Sequence, residues 1–230
     1  MLDISKVHSV TIDNQTLTDQ AYVRLRSDIV NGRLMPGFKL RVESLKQLYG
    51  TGASPIREAL SRLLGDGMVQ IEQRRGFRVS EVSRVEIEDI NKMRSLLECY
   101  ALREAMAQGD AKWEARIEAA FVALTELDAK LLLANPGDEW EARHDEFHAA
   151  LVSACYSPWL QTQRQNLFDQ SERYRRIALS LSRKYRPVPQ EHTDIKNATL
   201  ARDAELACEL VCEHFRKTTE SVLESPLLAT

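Results

Sequence analysis

Apolar residues recur at helical spacing through almost the whole chain, and only residues 68–80 break that rhythm with the alternation of strands. A chain patterned in this way folds as packed helices with one small β element about a third of the way along. Its stops are physical. Leu17 to Val30 halts at Asn31-Gly32, VESLKQLY makes a short second helix, and a third runs from about Ala53 to Leu64 before Gly65-Asp66-Gly67. Pro55 is tolerated because it falls in a first turn. PGFKL reads as a turn. MVQIE and FRVSEV read as a hairpin joined by QRRG, with Gly76 at its tip.

Ser83-Arg84-Val85-Glu86 is a capping box. It opens six helices at roughly 84–107, 110–133, 138–155, 159–183, 190–200 and 203–224. Gly109, Asn135-Pro136-Gly137, Ser157-Pro158 and Arg186-Pro187-Val188-Pro189 separate them, Ala201-Arg202-Asp203 making the last turn. The expected fold class is mainly α: a winged helix-turn-helix over residues 1–80, then an all-α six-helix bundle over 84–224. With 230 residues, each part can bury a core of its own.

Several classes of protein drop out. No apolar run is long enough to span a bilayer, and MLDISKVHSV lacks a signal-peptide core, so a cytoplasmic protein with no membrane partner is expected. Cys99, Cys155, Cys208 and Cys212 form no C-x-x-C pair and sit among apolar helical residues, the pattern of reduced core thiols.

Charge is uneven. Residues 1–80 hold 12 Lys and Arg against 8 Asp and Glu, whereas the whole chain has a net charge of −3. A basic head on an acidic body suits a polyanion at one end. A helix, a tight turn, a second helix and a basic hairpin present one helix to the major groove of double-stranded DNA and a wing to its backbone. The residues at 53–64 then form the recognition helix, with Arg57 and Arg62 projecting from it and Arg74, Arg75 and Arg78 arming the wing.

In the bundle, polar residues on apolar stripes carry the information. Trp140, His144, His148, Leu151 and Cys155 follow one inward face. His192 and His214 lie equally far from the turn at Asp203, which puts them at similar depth in an antiparallel helix pair. Four of the five histidines in the chain therefore face inward. Four independent burials would explain this, and so would one divalent metal, which accounts for them together. An all-imidazole set favours Zn²⁺ first and Ni²⁺ second. Arg94 shares an inward stripe with Ile90, Leu97 and Ala101, where a guanidinium is costly unless paired. Its partner is either Glu98 or a bound carboxylate, which Arg grips bidentately. Arg173 and Arg175, flanking Tyr174, are further candidates for the same role.

The string GRLMPGFKLRVESLKQLYG…SPIREALSRLLGDGMVQIEQRRGFRV resembles the DNA-binding domain of the GntR family of bacterial transcription regulators. The resemblance implies that Arg57 touches DNA and that Arg74, Arg75 and Gly76 reach toward the minor groove or backbone. Where the family has Ser/Thr-Arg at the start of the recognition helix, this chain has Gly52-Ala53. Arg41, Lys46 or Ser54 then takes over base reading. Residues 84–222 resemble the FCD effector-binding domain of the FadR branch. That likeness implies a divalent metal held by Asp-x3-His and two later histidines, matched here by His148, His192 and His214, with His144 at the place of the Asp. It also implies an arginine on the effector, here Arg94, and a homodimer on a near-palindromic operator.

The expected function is a DNA-binding regulator, a repressor released by a small carboxylate bound beside the metal. A regulator responding to metal alone is the nearer alternative. A metal-dependent hydrolase is the remote one: HDEFH lacks the Glu that H-E-x-x-H places directly after its first histidine as general base, and Asp145 stands there instead. No enzyme is expected.

Overall fold

The computed structural model describes residues 16–72, 76–131, 138–182, 188–226 and 228. They form two compact units that divide after Glu81.

In the first unit, helix α1 (Leu17–Val30) starts where the Thr16 hydroxyl accepts the Asp19 amide, satisfying an otherwise orphaned donor. A two-residue strand β1 (Lys39–Leu40) follows, then α2 (Val42–Tyr49) and α3 (Ala53–Gly65). Gly50 ends α2 at φ 62°, a left-handed conformation that costs glycine little, and three residues later α3 starts. Strands β2 (Val69–Glu72) and β3 (Gly76–Val79) pair antiparallel with Val69 opposite Val79 and Glu72 opposite Gly76. The sheet order is β1-β3-β2. It therefore has three strands where a two-stranded hairpin was expected, because PGFKL continues into Leu40, which pairs with Phe77. Leu25, Ile29, Leu45, Ile56, Leu60, Leu63, Met68 and Val79 close one apolar core under the three helices and the sheet.

The second unit holds α4 (Arg84–Gln108), α5 (Ala111–Leu131), α6 (Asp138–Leu151), α7 (Pro158–Ser182), α8 (Pro189–Leu200) and α9 (Ala204–Leu223). The Ser83 hydroxyl accepts the Glu86 amide as the capping box requires, but Tyr174 of α7 completes the box. Its hydroxyl accepts the Ser83 amide at 2.9 Å and donates to the Glu86 carboxylate. Helix α6 ends four residues before the expected 155. Residues 153 and 155 tighten into three-residue turns, and the Gln161 side chain takes the carbonyls of Val152 and Cys155, so the helix has no need to continue. At the α8–α9 turn Arg202 sits at φ 60° and donates to the carbonyls of Met106 and Gly109, fixing this hairpin to the end of α4. The Asn135-Pro136-Gly137 stop lies outside the described residues. Among those described, no helix is long and apolar enough to cross a membrane.

Candidate metal centre and nucleic-acid interface

Helix α6 supplies His144 and His148 one turn apart, α8 supplies His192 and α9 supplies His214. All four are buried. Their ring centroids lie between 4.6 and 6.2 Å apart, and one nitrogen from each ring falls within 4.8 Å of the others. Trp140 stacks on His144 at 4.8 Å, while Phe147, Phe168 and Phe215 surround His148. Burial, reinforced by the neighbouring histidines, holds His144 and His148 well below the usual imidazole range, so both are neutral donors at pH 7.

Two observations fit a metal ion to these rings. Both nitrogens of His148 are buried with no hydrogen-bond partner among the described residues, an arrangement that costs free energy unless something else accepts the lone pair. His214 Nδ1 lies 2.8 Å from Glu191, and such a carboxylate fixes the tautomer that turns Nε2 toward a metal. Glu191 was missed by the sequence reading, although it stands directly before His192.

Beside the cluster is a cavity of about 50 Å³ lined by Arg94, Trp140, His144, Glu172, Arg175 and His214, among others. A single water needs roughly 10–15 Å³ on this measure, so the space suits several waters or one small organic molecule. Arg94 is buried and donates to Ser171 at 2.9 Å, with its guanidinium 3.7 Å from the Phe215 ring centroid and 4.8 Å from that of Phe168. Glu98 does not pair with it. That carboxylate lies 3.1 Å from Arg164, an ion pair buried at both ends. Arg94 Nε has no hydrogen-bond partner among the described residues. Burial lowers its pKa to about 10, against the pull of Glu98 and Glu172, so it remains cationic at neutral pH.

The three candidates on α7 separate. Arg175 reaches the cavity wall, but Glu172 at 2.5 Å and Glu141 already hold its guanidinium. Tyr174 spends its hydroxyl on the start of α4, away from the cavity. Arg173 is buried and donates to Gln170, also off the cavity lining. Neighbours in sequence on a helix point to different faces, so flanking positions could not all share one pocket.

In the first unit, Ser54 and Arg57 are exposed on α3, and the Arg57 guanidinium makes no ion pair or hydrogen bond among the described residues. Arg62, expected to project toward DNA, instead bonds Asp19 of α1 at 2.7 Å and lies over the Tyr22 ring, tying the two helices together. Arg41 is exposed at the start of α2, and Lys46 pairs with Glu43 at 2.8 Å. Gly76 opens β3 at φ 97°, a left-handed conformation that suits glycine. Arg74 and Arg75 lie outside the described residues. Arg78, expected to arm the wing, is turned into the sheet, donating to Gly37 and pairing with Glu72.

A recognition helix with a free arginine, a winged sheet, and a separate helical bundle with a cavity beside four buried histidines together define a DNA-binding class of transcription regulator. The chain belongs to the GntR family of bacterial regulators with an FCD domain: residues 17–79 match "Bacterial regulatory proteins, gntR family" and residues 89–217 match the "FCD domain". It is 36% identical over 199 residues to the HTH-type transcriptional repressor GlaR of Escherichia coli K12, covering 84% of this chain and 90% of that one. It is 38% identical over 216 residues to the HTH-type regulator BphR of Paraburkholderia xenovorans, covering 93% and 88%. E. coli McbR/YncC shares the fold with a TM-score of 0.78 at 21% identity, over 91% of this chain and 98% of that one. The protein is a DNA-binding transcription regulator, and its relatives are regulators rather than enzymes.

Proposed function

We propose that this regulator is a repressor whose bundle holds one divalent metal through His144, His148, His192 and His214, and that a small carboxylate binds beside the metal to release DNA. The observation that carries this reading is the cavity shared by two of those histidines and Arg94. Arg94 is a buried cation with no carboxylate at ion-pair distance among the described residues, which favours an organic effector over a response to metal alone. Neutral imidazoles favour Zn²⁺, then Ni²⁺. Beside the histidines Arg175 holds Glu141 and Glu172, and Trp140, Phe168 and Phe215 pack against the rings of His144 and His148.

Arg57, with Ser54, Arg41 and the wing, reads double-stranded DNA in this account. The repressor acts in the cytoplasm as a homodimer on a near-palindromic operator. Support for a second copy comes from Met93, Leu96 and Tyr100, spaced along one face of α4 and 43%, 62% and 57% exposed.

Elemental analysis of protein purified without an affinity tag tests the centre. About one metal per chain in the wild type and little in His148→Ala is expected. Metal-free protein that still answers its effector returns the four histidines to the apolar core. A thermal-shift screen of organic acids then tests the cavity, since a ligand at 100 times its Kd adds about 2.7 kcal/mol. Stabilisation by metal but by no acid would leave a regulator that senses the metal alone.

A further inference from the structure

Three of the four cysteines gather where α4 packs along α9. Cys99 Sγ lies 3.4 Å from Cys212 Sγ. Crossed contacts hold the two helices close at this level: Cys99 Sγ reaches the Cys208 carbonyl at 3.8 Å, and Cys208 Sγ reaches the Cys99 carbonyl at 3.7 Å. Cys208 is buried, as is Cys155 beyond the end of α6, whereas Cys99 and Cys212 are both partly exposed. The two cysteines whose sulfurs nearly touch are thus also the two that are not fully buried. A small apolar side chain would fill the same space without that chemistry.

We propose that Cys99 and Cys212 form a thiol-oxidation site, in which a hydroperoxide converts the pair to a disulfide tying α4 to α9 and a small thiol reopens it. One sulfur attacks hydrogen peroxide and takes up a hydroxyl as the O–O bond breaks, releasing a water. The second sulfur displaces that hydroxyl, forming the S–S bond and releasing another water. Two thiols lose two electrons and two protons, and the peroxide gains both. The sulfurs close by a little over 1 Å to reach the bonded distance of about 2.0 Å. In a DNA-binding protein, whose surroundings are reducing, such a bond is transient and reports on oxidants. The tie joins the helix that carries Arg94 to the one that carries His214, so it limits how far those two cavity walls can part.

The test uses the full-length protein as purified, treated with stoichiometric hydrogen peroxide, alkylated, digested without reductant and mapped by mass spectrometry. One cross-linked peptide pair containing Cys99 and Cys212, two hydrogens lighter than its parts and lost on adding dithiothreitol, is the expected result. The oxidised protein should also melt at a higher temperature than the reduced one. Cys212→Ser should abolish the cross-link and Cys155→Ser should leave it intact. Full alkylation of Cys99 after peroxide, sulfinic acid without a cross-link, a Cys99–Cys208 bond, or a bond between two chains would each overturn the proposal. The mapping on wild-type protein decides the matter even where a serine variant fails to fold.

Discussion

The two units keep their charges in opposite places. Among the described residues of the DNA-reading unit, Asp28 is the buried charged or polar side chain, and Tyr49 at 2.6 Å and Arg33 at 3.0 Å both bond to it. The bundle buries Arg94, Glu98, Arg164, Glu172 and Arg173 together with four histidines. Burying an ion costs several kcal/mol even after relaxation, and well-packed apolar residues would hold such a bundle at least as well. The first unit therefore spends its interior on stability and meets its partner with exposed arginines. The second gives up stability to keep charge inside, around the four histidines and the cavity.

Breaking a pair inside the bundle should have the largest effect. Glu98→Ala leaves Arg164 charged and buried, and should destabilise the bundle by about 3–5 kcal/mol in urea unfolding followed by helical signal. A loss under about 1 kcal/mol would mean that water reaches this pair, and the contrast between the units would weaken.

Acid should separate the units next. Burial keeps the folded-state pKa of His144 and His148 below the unfolded value of about 6.5, so only the unfolded chain takes up protons as pH falls past it. Their contribution is complete above that pH and is lost as the pH drops. In chelator-treated protein each such histidine should cost the bundle up to about 1.4 kcal/mol per pH unit. The first unit has no histidine among its described residues. Its melting should stay nearly flat from about pH 7.5 to 5.5, and parallel losses in both units would remove the distinction.

At the surface the order of effects reverses. Arg57→Ala should leave folding untouched and weaken binding to a promoter fragment by about 1–3 kcal/mol in fluorescence anisotropy at fixed salt. Unchanged affinity would move the reading surface off α3. The smallest effect expected is from Thr16→Ala, which removes the α1 cap and should lower the stability of the first unit by about 1 kcal/mol in thermal melts. A value near zero would show that solvent caps this helix equally well.

Periodicity and stop residues located the helices, because most ends are local events: Thr16, Gly50 and Asp203 act within a turn of themselves, whereas the end of α6 depends on Gln161 and was placed four residues late. The inward stripes also brought out the four histidines, and the common depth of His192 and His214 followed from helix rise alone. What stayed illegible was partner choice. A stripe says that Arg94 points inward, and only the packing of α4 on α7 decides that Glu98 takes Arg164 and leaves Arg94 to Ser171. Strand β1 was missed for a related reason. Two residues carry no alternation, and the strand exists only through its distant partner β3.

Tyr174 and Arg175 are consecutive residues on α7, yet one holds the first turn of α4 and the other a wall of the cavity. A rigid helix cannot turn one of them without carrying the other along. Helix α7 thus ties a wall of the cavity to the chain two residues after it leaves the first unit. Tyr174→Phe would remove that tie while leaving the cavity lining intact.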